Sequence, residues 1–331
     1  MPVELRWMAM DARRQKAKAQ PLSAGLPVNP PGTLIGEENV VLTGTNNRYF
    51  VPEFEGCLSI KTVVRGSALW EAGGRVFKVH ENCYLTLNDR QRYTLTIDSL
   101  RNATTFCLFF ERGFVEDVLR ATTTPVAALL DAPQPGRQLS VPFAQKLEPG
   151  DDRVMAMVRD LNTRIGGGPM MRSEWDERFL RIGASLIWEH QNAAAAVAKL
   201  PAARAATRSE LYRRLLRGRD FLLSSLDARV RLKEAAREAC LSPYHFHRAF
   251  RQFFGETPHE FWLRQRLGRA ASLLRRGDLS VTDICLETGF ESLPSFSALF
   301  RRRFGVAPRD FRRAGPVCIP TSEPIKIRKI E

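Results

Sequence analysis

The sequence predicts an α+β chain: a small β-barrel with accessory helices, followed by an all-α region built on a duplication. Three observations carry this. Short runs rich in β-branched and aromatic residues recur between Val40 and Phe110, separated by turn residues. One stretch of the C-terminal third occurs twice, so that a shift of 50 positions superimposes Phe246/Phe296, Phe250/Phe300, Arg251/Arg301, Phe254/Phe304, Gly255/Gly305, Pro258/Pro308 and Phe261/Phe311. Charge is segregated as well: residues 204–313 hold 23 Arg and Lys against 12 Asp and Glu, most of the +14 carried by the 331-residue chain. Such a basic segment points to a polyanionic partner.

Residues 1–34 mix Arg13, Arg14, Lys16 and Lys18 with Pro21, Pro27, Pro30 and Pro31, the composition of a flexible arm. The strand runs are 40–42, 58–64, 68–70, 76–79, 84–87, 93–97 and 104–110, with turns at Ala72-Gly73-Gly74 and Asn88-Asp89. Evenly spaced short strands of this kind make a barrel or sandwich over 38–110 whose interior can hold one small ligand. Helical signals follow over 111–191: Phe114–Leu119, then Pro125–Leu130 capped by Thr124, then Asp151–Ile165, then a helix capped by Ser173 that reaches His190. These helices either pack on the barrel or form a dimer interface. The alanine-rich stretch 192–206 with Pro201 reads as a linker. Thr207-Arg-Ser-Glu210 opens the next helix, which leads into the duplication; 314–331 is a tail.

Little in the barrel suggests catalysis. A metal site would need several converging His and carboxylates, whereas this region has His80 alone, with Glu81 on the opposite face of the strand. The six cysteines show no CxxC and no zinc spacing, and read as reduced, mostly buried thiols of a cytoplasmic protein. No apolar run is long enough for a membrane span, and Met1–Gln20 lacks the core of a signal peptide. The expectation is a chain that is not an enzyme and carries no cofactor or metal.

Each duplicated unit reads as a short helix, a tight turn and a second helix. In the first, Ser242 caps the second helix with Pro243 behind it. Phe246, Phe250, Phe253 and Phe254 line a core side, while Tyr244, His247, Arg248 and Arg251 form a polar stripe facing away. In the second unit Phe296, Phe300 and Phe304 repeat the core side. The outward residues become Leu293, Pro294, Ser297 and Ala298, with Arg301, Arg302 and Arg303 further along. A helix so divided suits a DNA major groove, where Arg reads guanine and neighbouring groups meet phosphate. Between the units, Thr257-Pro-His-Glu260 starts a helix running to Arg276, about 28 Å at 1.5 Å per residue. One turn of DNA is about 34 Å, so this helix is matched to two successive grooves.

Residues 207–313 resemble the AraC/XylS family of bacterial transcription regulators, through the Gly289-Phe290 turn, the Phe296…Phe300 helix and Phe304-Gly-Val-Ala-Pro308. The resemblance implies two helix-turn-helix motifs, 232–254 and 281–304, joined by a long helix. It implies base contacts from Tyr244, His247 and Arg248 and from Leu293, Pro294 and Ser297. Phosphate contacts then fall to Ser242, Arg251, Arg301, Arg302 and Arg303. Ala298 replaces the Arg frequent in the family, which weakens base readout by the second motif. More distantly, 35–191 resembles the cupin-like, dimerising sensor domains of such regulators, which implies a small effector at residues the sequence does not specify. The expected protein is thus a cytoplasmic, homodimeric regulator of double-stranded DNA, with RNA polymerase as a further candidate partner and no membrane partner. The alternatives are an architectural DNA binder without a ligand and a barrel enzyme fused to a DNA-binding domain.

Overall fold

The computed structural model describes residues 26, 28–30, 32–124, 141–200 and 204–313. The chain forms two compact units, Met1–Ala195 and Ala196–Glu331.

In the first unit seven strands make one antiparallel sheet: β1 (Val40–Glu55), β2 (Ser59–Arg65), β3 (Ser67–Ala72), β4 (Arg75–His80), β5 (Cys83–Leu87), β6 (Arg92–Phe109) and β7 (Leu147–Pro149). Their order is β4-β3-β6-β2-β5-β7, with β1 also on β6. The runs 93–97 and 104–110 are therefore not two strands but the two halves of β6. No Gly or Pro interrupts residues 98–103, and the long β1 pairs with both halves. Residues 99–102 bulge out between Arg48↔Asp98 and Asn46↔Ala103, and a second, smaller irregularity lies on β1 between Val51 and Phe54. The first half of β6 pairs with β3 and the second with β2, while β4 approaches β2 and β5, giving a near-barrel.

Three helices cover the outer face: α1 (Phe114–Thr123), α2 (Arg153–Gly166) and α3 (Arg172–Ala198). Val41, Ile60, Tyr84, Phe106 and Leu108 of the sheet share one core with helix residues such as Val158, Leu161, Trp175 and Phe179. Asp152 caps α2, accepting from Met155 N at 2.7 Å, and also accepts the Tyr84 hydroxyl at 2.6 Å, which ties the helix to β5. Several boundaries differ from the expected ones. Helix α3 starts at Arg172, so Ser173 lies in its first turn rather than capping it, and Arg172 pairs with Asp176 and Glu38 instead. It continues to Ala198, making 192–198 helix rather than linker, as the high helix propensity of alanine favours. The arm is anchored at its end: Asn29 N donates to Val41 O and Asn29 Oδ1 accepts Thr43 N, both at 2.8 Å. The expected helix 125–130 and tail 314–331 lie outside the described residues.

The inner face of β2 is unusual. Lys61 is 1% exposed, its Nζ donating to Tyr93 Oη at 2.7 Å and lying 3.6 Å from the centroid of Phe109. Burying an ion costs several kcal/mol. Against this, a desolvated cation–π contact returns about 2 kcal/mol and a hydrogen bond about 1. Burial is the main cause that lowers the ammonium from its ordinary 10.5 to about 8, against the pull of Cys107 and Cys57. Those thiols, with Cys83, are buried as expected, and burial raises the Cys57 and Cys107 thiols further.

The second unit is all helical: α4 (Ala205–Ser224), α5 (Leu232–Glu238), α6 (Pro243–Phe254), α7 (Pro258–Arg276), α8 (Val281–Glu287), α9 (Leu293–Phe304) and α10 (Pro308–Arg313). Helix α4 begins at Ala205, two residues of the alanine stretch ahead of the Thr207 start read from the sequence. The duplication holds in three dimensions. Ring centroids of Phe246–Phe250, Phe250–Phe254 and Phe250–Phe261 lie 5.4, 4.5 and 5.6 Å apart. Their counterparts Phe296–Phe300, Phe300–Phe304 and Phe300–Phe311 lie 5.7, 4.5 and 5.3 Å apart. Phe254 and Phe253, expected in the core, are half-buried, Phe253 lying against Tyr212 at 5.0 Å.

Helix α7 holds both copies. Trp262 Nε1 donates to Ser225 O near the end of α4. Further along, the Arg266 guanidinium lies between Trp262 and Phe290, 4.3 and 4.1 Å from their centroids, and donates to Thr288 O, while Arg269 donates to Glu287 O. These carbonyls end α8, where unpaired acceptors and the helix dipole favour a cation. The turns diverge at one position: φ is +51° at Cys240 and +72° at Gly289. The left-handed region costs a side-chain-bearing residue about 1–2 kcal/mol.

Replacing Lys61 by Met is expected to stabilise the protein at pH 7 by about 1–3 kcal/mol in chemical denaturation. Because the unfolded chain binds this proton more tightly, wild-type stability gains on Lys61→Met as pH rises from about 8 towards 10.5. A gap independent of pH would show that the lysine is not held as a buried cation. Gly289→Ala should cost more than 2 kcal/mol, about 1–2 from the backbone, because its Cβ would also sit 2.6 Å from Arg266 Nη2. Cys240→Gly should be neutral or stabilising by about 1 kcal/mol; the reverse order in thermal unfolding would contradict the turn geometry.

Candidate nucleic-acid interface

Helices α6 and α9 are built alike from the first residue. Ser242 Oγ accepts from His245 N at 3.3 Å, and Ser292 Oγ accepts from Ser295 N at 3.2 Å, so each cap satisfies a free amide of the first turn. Proline follows within two residues in both, at Pro243 and Pro294. The turn before α9 is one residue longer: four residues, 239–242, separate α5 from α6, and five, 288–292, separate α8 from α9.

The outward stripes fall where the spacing put them. Ser242, Tyr244, Arg248 and Arg251 are exposed on α6, and His247 is half-buried beside them. On α9, Leu293, Pro294, Ala298, Arg301 and Arg302 are exposed and Ser297 is half-buried. Equivalent positions in the two helices thus have the same burial while their chemistry differs: Tyr244, His247 and Arg248 are matched by Pro294, Ser297 and Ala298. Arg303 departs from the phosphate-facing expectation. It is half-buried, and its charge bears on Glu256 and Arg264. Glu256 and Arg264 themselves form an ion pair at 2.7 Å where the first unit joins α7.

A shallow concavity is lined by Ser297, Ala298, Arg301, Arg302, Gly305 and Ala307. Its two exposed guanidinium groups at the end of a capped helix suit a phosphate chain, and the short side chains at 297 and 298 let a surface approach closely. On α6 the aromatic Tyr244, with His245 at 5.9 Å, and the exposed, longer side chain of Arg248 offer donors at greater reach. His245 escaped the sequence reading because it lies off the i, i+3, i+4, i+7 stripe. The buried arginines Arg266 and Arg269 escaped it too, since charged residues on a helix ordinarily signal a solvated face.

No helix of the described residues is long and apolar enough to cross a membrane, and among them no group of three or more His, Cys, Asp or Glu could hold a metal ion. His80 is buried and accepts from Asn82 N at 3.2 Å in the turn after β4.

A family profile described as "Helix-turn-helix domain" matches residues 235–314. The HTH-type transcriptional regulator ArgR of Pseudomonas aeruginosa is 35% identical over 96 residues, covering 28% of this chain and 29% of that protein. The HTH-type transcriptional activator RhaS of Klebsiella pneumoniae is 44% identical over 81 residues, covering 24% and 29%. A solved structure of a transcriptional regulator with an AraC-type DNA-binding domain from Chromobacterium violaceum is 27% identical, with a TM-score of 0.29, and covers 33% of this chain and 95% of that one. The match to both curated relatives thus spans less than a third of their length. The profile falls on the region that holds the duplicated Phe cores, the Gly289-Phe290 turn and Phe304-Gly-Val-Ala-Pro308, and with the curated relatives it identifies residues 235–314 as a helix-turn-helix domain of AraC/XylS type.

Proposed function

We propose that the chain is a sequence-specific DNA-binding transcription regulator controlled by a small effector in its cupin-like barrel. The observation that carries this reading is one rigid helix, α7, holding two units of the same build. Each exposes the outer face of its second helix inside the region of highest positive charge. At 19 residues α7 is about 28 Å long, near the 34 Å repeat of B-DNA, so α6 and α9 act as two helix-turn-helix heads in successive major grooves. In this reading Tyr244, His247 and Arg248 contact bases and supply most of the discrimination. Leu293, Pro294 and Ser297 make apolar and hydroxyl contacts. Ser242, Arg251, Arg301 and Arg302 hold phosphates. The protein acts as a homodimer, with the exposed Leu180 and Trp188 of α3 as candidate interface residues.

Arg248→Ala is expected to cost about 1–3 kcal/mol on the selected site and to relax specificity, measured by fluorescence anisotropy against a random duplex. Equal losses on both duplexes would remove Arg248 from base readout. Arg302→Ala should lower the slope of log K against log salt by about 1 while leaving sequence preference unchanged; an unchanged slope would end its phosphate role. A broad thermal-shift screen of the full chain tests effector control. At least one small molecule should raise Tm and alter operator binding, and a library without any such compound would favour an architectural DNA binder.

A further inference from the structure

Strand β2 is buried on both sides, and its two faces differ in kind. Ile60 and Thr62 face the helix-covered side, where Ile60 joins the apolar core and Thr62 Oγ1 donates to Phe106 O. Ser59 and Lys61 occupy the alternate positions and face the interior, opposite Phe109 and Cys107 on β6 and opposite Leu87 and Leu85 on β5. Ser59 is fully buried, and its Oγ makes no hydrogen bond among the described residues. Lys61 Nζ uses one of its three donors, on Tyr93 Oη. Buried polar groups are ordinarily satisfied, so two neighbouring donors left short on one strand face call for an acceptor.

The chemistry of that acceptor follows from the surroundings. The groups whose charge acts on Lys61 are the thiols of Cys107 and Cys57, and burial raises both thiols above their ordinary range, which leaves them neutral near pH 7. Among the described residues no carboxylate is paired with the ammonium. One uncompensated positive charge matches one negative charge, not the two of a phosphate monoester. A hydroxyl two residues away offers the second donor that a carboxylate accepts. The remaining lining is apolar: Phe109 at 3.6 Å and the Tyr93 ring at 4.4 Å from Nζ, with Leu85 and Leu87 beside them. On the same face Leu42 and Gly44, opposite Cys107 and Thr105, are only half-buried, so solvent reaches this side of the sheet at β1.

We infer that the barrel interior binds a small monocarboxylate with an apolar body, its carboxylate held by the Lys61 ammonium and the Ser59 hydroxyl and its body against Phe109, Tyr93 and Leu85. This assigns the ligand class and the anchoring residues of the effector site and rests on the regulator reading above. Lysine at 61 is then a feature retained for binding at the expense of the unliganded fold.

The test is calorimetric titration of the full chain with acetate, hexanoate and benzoate, each paired with its neutral amide, on wild type, Lys61→Met and Ser59→Ala. At least one acid should bind while its amide does not. Lys61→Met should weaken that acid at least tenfold, and Ser59→Ala severalfold with an unchanged Tm. Unliganded Lys61→Met should melt above wild type; melting below it would make Lys61 a structural residue and overturn the assignment. Amide binding as tight as acid binding, or acid binding indifferent to both substitutions, would also overturn it. Silence from all three acids, alongside a neutral compound found in the broad screen, would overturn the carboxylate site and leave effector control standing. Silence in both would remove effector control itself.

Discussion

A single guanidinium sets the geometry of the C-terminal unit. Arg266 leaves α7, passes between Trp262 and Phe290, and donates to the last carbonyls of α8 at Thr288. Stacking on two aromatic faces offsets part of the cost of burying the charge, and the helix terminus supplies the negative pole it needs. Burial still lowers it to about 10, well within the charged range at neutral pH. Because Phe290 also packs against Phe296 of α9, the same contact positions the exposed helix of the second unit. On the other side Trp262 fastens α7 to the end of α4. Without this arrangement the two copies would be separate helical hairpins on a flexible tether, and the length of α7 would carry no meaning.

The duplication conserves what is buried and frees what is not. Ring separations in the two phenylalanine clusters differ by no more than a few tenths of an ångström. The stripes on the opposite faces share burial but not chemistry, an aromatic, imidazole and guanidinium set on α6 against proline and small residues on α9. Interior packing tolerates little change in volume, whereas an exposed position is constrained only by its ligand. The asymmetry is then one of division of labour: a long-reach face, and a low-relief face followed by Arg301 and Arg302.

Much of this was legible in the sequence because local signals and tertiary structure agree. Ser242-Pro243, Thr257-Pro258 and Ser280 with Asp283 are caps in the structure as in the pattern. The 50-residue shift needed only identities to find. Illegible features were those in which a distant element overrides a local one. The two halves of β6 look like separate strands until the pairing with β1 is seen. The alanine stretch looks like a linker, although alanine is also the best helix former, and α3 takes the second course as far as Ala198. Arg266 and Lys61 look like solvated charges, since nothing local marks either as buried. In Lys61 the one hint was its place in Leu58-Ser-Ile-Lys-Thr-Val-Val64, a run otherwise without charge.

The bulged strand β6 has a last consequence. Tyr93 and Phe109 stand sixteen positions apart on it, about 53 Å of fully extended chain at 3.3 Å per residue. Yet both meet one nitrogen, Lys61 Nζ, one through its hydroxyl and the other through its ring. The strand must therefore curve strongly between them, around the irregularity at residues 99–102, so that both ends meet one lysine side chain. The perimeter of the sheet is thus gauged from inside, by a four-carbon ruler that also carries a charge.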